Sequence, residues 1–379
     1  MQHKLFGRYA LGESASALLL GGPAFLLLSI FLALPFVRAI QLSFTNQFLV
    51  QPRNQPAQNV GFDNYDRLLS FSLIQLDPQL DPETGDWQRD RRGDVVFRWR
   101  PRTPPAGYEN LVGFNILYTF KAPDLPLVPE SVAGRYHALM AKDPLFWRAL
   151  FNNFYFALFV VPIQSAFALG LALLVDQKLR GMTLYRTIYF SPVVTAMAVI
   201  SVLWIFLYNP DRGLINRLLE TLSFGGLGPF RWINDPHEAM PAIMLMSIWQ
   251  GAGFQMVIFL AGLQNIPEDL YEASGIDGAG TLAKFRFITL PMLRNSIVFV
   301  AITTTILAFR LFTQVEVMTG GGPENATMTV IWYAIEQGWR TGQGNVGYAS
   351  AISVIFVSIV LIISILQRGI IRSYNVLER

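Results

Sequence analysis

Six apolar runs, each of 18 residues or more, punctuate this chain at about 17–44, 151–175, 187–208, 240–264, 295–317 and 348–367. A helix crosses roughly 30 Å of hydrocarbon in about 20 residues. Inside a bilayer every backbone N–H and C=O must find its partner within the protein, so runs of this kind fold as helices. The fold class that follows is an all-α integral membrane protein with six transmembrane helices. Composition agrees, with 52% of the 379 residues hydrophobic and only 15% charged. Soluble domains carry about 25% charged residues. The first run is too long for a secretory leader and lacks a small-residue cleavage site after it.

Orientation is read from lysines and arginines in the short loops. Lys4 and Arg8 precede the first run, and Lys178, Arg180 and Arg186 flank the turn between the second and third. Lys284, Arg286 and Arg294 lie between the fourth and fifth, and Arg368, Arg372 and Arg379 follow the sixth. With six spans these four segments share one side, so both termini are expected in the cytoplasm. The stretch from about 46 to 150 and the loops near 209–239 and 318–347 are then external.

One cytoplasmic segment is longer than a turn needs. It covers residues 266–293 and holds Tyr271-Glu272-Ala273-Ser274-Gly275-Ile276-Asp277-Gly278-Ala279, then Ile288-Thr289-Leu290-Pro291. Pro267 suits the first turn of a short helix. Gly275 and Asp277-Gly278 read as a turn, and Thr281 to Phe287 as a second short helix. Two short helices at an angle make a projecting knob. Leu270 and Ile276 can anchor it in a partner's groove, with Glu272 as a charged register contact and Asp277 bonding its own backbone to hold the turn. The plain alternative for Glu272 is a solvated helix charge.

Several function classes are excluded. The chain has no cysteine and three scattered histidines, His3, His137 and His237, so no metal site is expected. The net charge of +3 and the lack of a basic, aromatic-interleaved patch give no sign of nucleic acid. Thr319-Gly320-Gly321-Gly322-Pro323 lacks the Gly-Lys-Ser/Thr ending of a phosphate loop, and no such sequence occurs elsewhere. The chain therefore carries no expected catalytic residue and no ATP site of its own. Acids, lysines and histidines are missing from the middle of the spans, which argues against a proton- or sodium-coupled carrier. An ATP-independent carrier or channel stays as the alternative function, and no nucleophile–base pair supports a membrane enzyme.

Uncharged polar groups at mid-span mark a candidate path. Ser247, Gln250, Gly251 and Phe254 share one helical face near the middle of the fourth run. Thr303 and Thr304, within Thr303-Thr304-Thr305, sit at the middle of the fifth, and Thr195 at the middle of the third. Transporter sites tend to lie at this depth between helices, and an aromatic ring with hydroxyls and amides suits a sugar. Ordinary helix packing is the other reading, because Gly, Ser and Thr also serve close contacts. Arg310 lies about 15 residues into the fifth run, roughly 22 Å along the helix. It either snorkels to the outer interface or lines the outer part of a cavity.

These features resemble a permease subunit of a binding-protein-dependent ABC importer, in the carbohydrate family typified by the maltose and glycerol-phosphate systems, and within it the first subunit of the pair. The resemblance rests on Glu272-Ala273-Ser274, Asp277-Gly278-Ala279 and Ile288-Thr289-Leu290-Pro291, where Ser274 stands in place of the family's second alanine. It extends to Tyr185-Arg186-Thr187-Ile188 with Phe190-Ser191-Pro192, Leu203-Trp204, Gly213-Leu214-Ile215-Asn216, Thr319 to Pro323 with Thr327, and Gly61-Phe62-Asp63-Asn64-Tyr65 after Leu42-Ser43-Phe44. It implies coupling to an ATP-binding subunit through Glu272 to Gly275 and Asp277 to Ala279. The implied partners are a second permease subunit, two ATP-binding subunits that bind ATP and Mg, an external solute-binding protein and the lipid of a bacterial cytoplasmic (inner) membrane. The substrate class is open among oligosaccharide, polyol, glucosyl-polyol and glycerol phosphate.

The expected division is an N-terminal segment at 1–70 with the first helix, an extracytoplasmic insert at 71–144, a five-helix core at 145–370 and a cytoplasmic tail at 371–379. The insert has no counterpart in the family core. Two β-like runs, Val95-Val96-Phe97-Arg98-Trp99 and Leu111 to Phe120, give it strands. It is a lid on the external loops, a surface for a binding protein, or a disordered segment.

Overall fold

The computed structural model describes residues 21–51, 56–76, 88, 115–121, 136–177, 181–342 and 344–376. The run at 95–99 lies outside the described residues. The protein is mostly helical. Among the described residues, four helices are long and apolar enough to cross a membrane: α1 (Gly21–Ser43), α3 (Pro144–Val175), α7 (Ala239–Gln264) and the Val346–Gln367 part of α13 (Val346–Val376). Two bent pairs also pass on length and composition, α4 (Met182–Val194) with α5 (Met197–Leu207) and α9 (Thr281–Met292) with α10 (Arg294–Phe309), at 100° and 65°.

The third expected span is therefore broken. Pro192 has no N–H, so the carbonyl four residues before it loses its helical donor. Ser191 Oγ supplies one, donating to Ile188 O at 2.9 Å. Thr195 and Ala196 then adopt extended backbone before α5 begins. The fifth expected span ends early as well, at Phe309, and α11 (Thr313–Met318) is a separate helix. The break is held by side chains from elsewhere. Asn153 of α3 donates to Phe309 O at 3.4 Å and accepts from Val330 N at 2.9 Å, while Thr329 Oγ1 donates to Leu311 O at 2.9 Å. Apolar runs alone do not report such breaks, because their residues stay apolar through the bend.

Two compact units are distinguished, residues 1–70 with 334–355 and residues 71–333 with 356–379. In the first, α1 presents its apolar side chains outward. Ser43 Oγ and Tyr65 OH lie 2.6 Å apart, and Asn64 Nδ2 donates to the carbonyls of Ser43 (2.8 Å) and Thr45 (2.9 Å). These bonds fasten α2 (Asp63–Leu69) to the end of α1. The Arg67 guanidinium sits 4.2 Å from the centre of the Tyr348 ring.

In the second unit a three-stranded antiparallel sheet, order β1-β3-β2, is built from β1 (Phe71–Leu76), β2 (Asn115–Lys121) and β3 (Tyr136–Ala141). β2 overlaps the second β-like run of the sequence, Leu111 to Phe120. β3 leads into α3 through Asp143, whose Oδ1 accepts from Phe146 N at 3.0 Å and caps the helix. Its Oδ2 accepts from Tyr333 OH at 2.7 Å. The helical core joins α3, α7 and α10 through Ala168, Ala172, Ala252, Met256, Phe259, Leu263, Leu293 and Val300. Ala168 and Ala172, four apart and fully buried, present small side chains where the helices pack. Gly253 serves α4 in the same way, since a Cβ there would strike the Tyr189 carbonyl.

Candidate functional site

A cavity of about 360 Å³ opens among α3, α4, α5, α7, α10 and α11. This is within the roughly 300–1,000 Å³ common for small-molecule sites. Seven of the eight expected path residues line it: Ser247, Gln250, Gly251, Phe254, Thr303, Thr304 and Arg310. Thr195 does not. It lies exposed at the α4–α5 break, with Oγ1 donating to Ser191 O at 3.4 Å. Its neighbours Val193 and Met197 line the cavity instead, so irregular backbone occurs where it flanks a cavity.

Three glutamines that the sequence pattern did not single out share the wall: Gln164 from α3, Gln255 from α7 and Gln314 from α11. The signal was present, because Gln164 is the one amide in the apolar stretch that follows Asn153 in a 32-residue helix. Burying an amide is costly unless it finds partners. Gln255 Nε2 donates to Thr304 Oγ1 at 2.5 Å, while its Oε1 is buried without a partner among the described residues. The amides of Gln164 and Gln250 carry no hydrogen bond among the described residues. Each offers two donors and an acceptor. Ser247 and Thr303 donate to carbonyls of their own helices, Ile243 O and Phe299 O, both at 2.8 Å, and their oxygens can still accept. Phe156 and Phe254 add aromatic surface.

The second expected site is built as a platform. α8 (Glu268–Ile276) begins after Pro267 and continues through Gly275, so Glu272, Ala273 and Ser274 are helical and the turn comes later. Gly278 makes it, at φ +79°, with Asp277 just before and Ala279 just after. The second short helix starts at Thr281 and widens over Phe285–Thr289. Tyr271 OH and Thr289 Oγ1 lie 2.8 Å apart, and Lys284 Nζ donates to Tyr271 O at 3.1 Å. Tyr271 and Ile288 pack on the core that includes Leu293, which ties the platform to α7 and α10. Its outer side exposes Ile276 (88%), Leu282 (78%) and Phe287 (73%). Glu272 is also exposed and has no side-chain partner among the described residues.

A family model described as "Binding-protein-dependent transport system inner membrane component" matches residues 138–376. The chain belongs to this family. It is 38% identical over 230 residues to the lactose transport system permease LacF of Rhizobium radiobacter, covering 60% of this chain and 76% of that one. It is 33% identical over 240 residues to the trehalose/maltose permease MalF of Thermococcus litoralis, covering 63% and 79%. It is 33% identical over 247 residues to the sulfoquinovosyl glycerol permease SmoG of Agrobacterium fabrum, covering 65% and 79%. Among solved structures, a chain of a bacterial ABC transporter for the acidic polysaccharide alginate superposes at a TM-score of 0.63 with 18% identity. That match covers 98% of this chain and 99% of the other, and it shows a shared fold.

Within this inner membrane component, two motifs are structural clasps. Asn216 Oδ1 accepts from Trp232 Nε1 at 2.8 Å, and its Nδ2 donates to Phe230 O at 2.9 Å, closing the loop that follows α6 (Leu214–Leu222). Thr327 Oγ1 donates to Gly322 O at 2.7 Å and lies 2.7 Å from Thr319 Oγ1. Gly320 and Gly321 take positive φ there.

Proposed function

We propose that the chain is one of two non-identical permease subunits of an ATP-driven importer for a sugar or sugar-like solute, received from an external binding protein. The observation that carries this reading is the cavity wall. Free amides, hydroxyl oxygens and two phenyl rings meet in a cavity between apolar helices, with no carboxylate among the described lining residues. Sugars present many hydroxyls and apolar ring faces, and good neutral hydrogen bonds contribute about 0.5–1.5 kcal/mol each. The names of LacF, MalF and SmoG, all carriers of sugars or sugar derivatives, point the same way.

In this reading the bent pair α4–α5 is one span and α10, entered from α9 through the 65° bend, is another, giving six, and both termini face the cytoplasm of a bacterium. Segment 71–144 is an external insert between α1 and α3, and 145–370 the transport core. α8 and α9 form the coupling segment. Ile276, Leu282 and Phe287 seat in a groove of an ATP-binding subunit, and Glu272 sets the register. ATP and Mg are held by the two partner subunits, whose closure moves α8 and, through Tyr271, Thr289 and Leu293, tilts α7 and α10 around the cavity. The test is co-purification with the partner subunits, followed by uptake into proteoliposomes. ATP inside and binding protein outside should drive uptake of the binding protein's sugar ligand. A cognate binding protein that holds an amino acid or an inorganic ion would overturn the reading.

A further inference from the structure

The cavity wall carries one charge. Arg310 follows the last turn of α10, where its backbone N–H donates to Leu307 O at 3.1 Å. Its guanidinium has no hydrogen-bond or ion-pair partner among the described residues. The other polar groups of the wall are amides and hydroxyls, so nothing described there neutralises it. The helix dipole favours a cation at this end. Arg310 is solvent-exposed, and with Thr313 and Gln314 it also lines the cavity.

We propose that this cavity accepts a carbohydrate bearing one anionic group, with Arg310 as its counter-ion. This inference rests on the sugar-importer reading above. Arginine presents five N–H donors in a planar fork that matches carboxylate, sulfonate or phosphate oxygens. Charge-assisted bonds of this kind are roughly twice as strong as neutral ones. The amides of Gln164 and Gln250 take the sugar hydroxyls, and Phe254 takes a ring face.

The test uses the assembled complex in detergent without external binding protein, so that the binding protein's own selectivity does not enter. Four matched disaccharides are titrated, carrying at one C6 a hydroxyl, a carboxylate, a sulfonate or a phosphate. At least one anionic form should bind about tenfold more tightly than the neutral one, and the three anionic arms identify which oxyacid fits. Arg310→Gln should bring the ratio to within about twofold, and 0.5 M salt should narrow it. Equal binding of all four sugars by the parent complex, or a preference that survives Arg310→Gln, overturns the proposal. If Gly251→Leu abolishes binding of the neutral disaccharide while no anionic preference is seen, only the counter-ion role fails. If no disaccharide binds to the parent complex, the sugar reading fails with it.

Discussion

Gly251 and Gly253 are two positions apart on α7 and meet different neighbours. A Cβ at Gly251 would meet the movable amide end of Gln164, whereas a Cβ at Gly253 would meet the fixed Tyr189 carbonyl and Phe190 Cα at 3.1 Å. Overpacking against a rigid neighbour costs about 1–3 kcal/mol. Gly253→Ala should therefore lower the thermal stability of the purified complex by several degrees, and Gly251→Ala should shift it by little. Equal shifts would show that α4 can move away from α7. The sequence shows only Gly-Ala-Gly, a pattern that says close packing without saying which glycine faces backbone. The face shared by Ser247, Gln250, Gly251 and Phe254 was legible because helical spacing fixes it. Gln164, Gln255 and Gln314 complete the wall from positions off that face, which the spacing within one helix does not reveal.

At the scale of elements, the breaks were the least legible part. The two helix ends at Phe309 and Thr313 are separated by carbonyls that Asn153 and Thr329 satisfy from distant positions in the chain. Asn153→Ala leaves Phe309 O and Val330 N without these buried partners, at about 1–3 kcal/mol per unsatisfied group. Its yield of folded, partner-bound complex should fall several-fold by size-exclusion chromatography. An unchanged yield would mean that α3 is not what holds the break. Segment 266–293 was legible as two short helices with a turn at Asp277-Gly278, but Gly275, also read as part of that turn, is helical. α8 carries Gly275 in helical conformation, and the left-handed position is Gly278. Gly278→Leu puts a branched side chain where positive φ disfavours it. Together with Glu272→Ala, it should reduce co-purification of the ATP-binding subunits or the stimulation of ATP hydrolysis by binding protein about tenfold. Both variants should still insert. Full coupling in both would remove the docking role.

At the scale of the whole molecule, six apolar runs and the lysine–arginine bias specify an orientation that scanning can check directly, because the chain has no cysteine. Leu227→Cys, exposed in the loop after α6 (Leu214–Leu222), should react with a membrane-impermeant thiol reagent in spheroplasts. Thr281→Cys should react only after the inner membrane is permeabilised. The reverse pattern would invert the topology and move the coupling segment to the wrong side for ATP-binding partners. Apolar run length made the long helices legible because it acts along the whole of each one, whereas the charge bias lies in the flanking loops and speaks only to orientation. They could not carry the sheet's strand order, which pairs β1 and β2 through a β3 that comes last in sequence.

The central claim is that solute passes through the cavity among α3, α4, α7 and α10. The most direct measurement is ATP-driven uptake of the binding protein's radiolabelled ligand into proteoliposomes, comparing parent and Gly251→Leu complexes of equal assembly and equal basal ATP hydrolysis. A leucine at this position projects into the cavity beside Gln164, so uptake should fall tenfold or more. Uptake at the parent rate and affinity would place the path elsewhere.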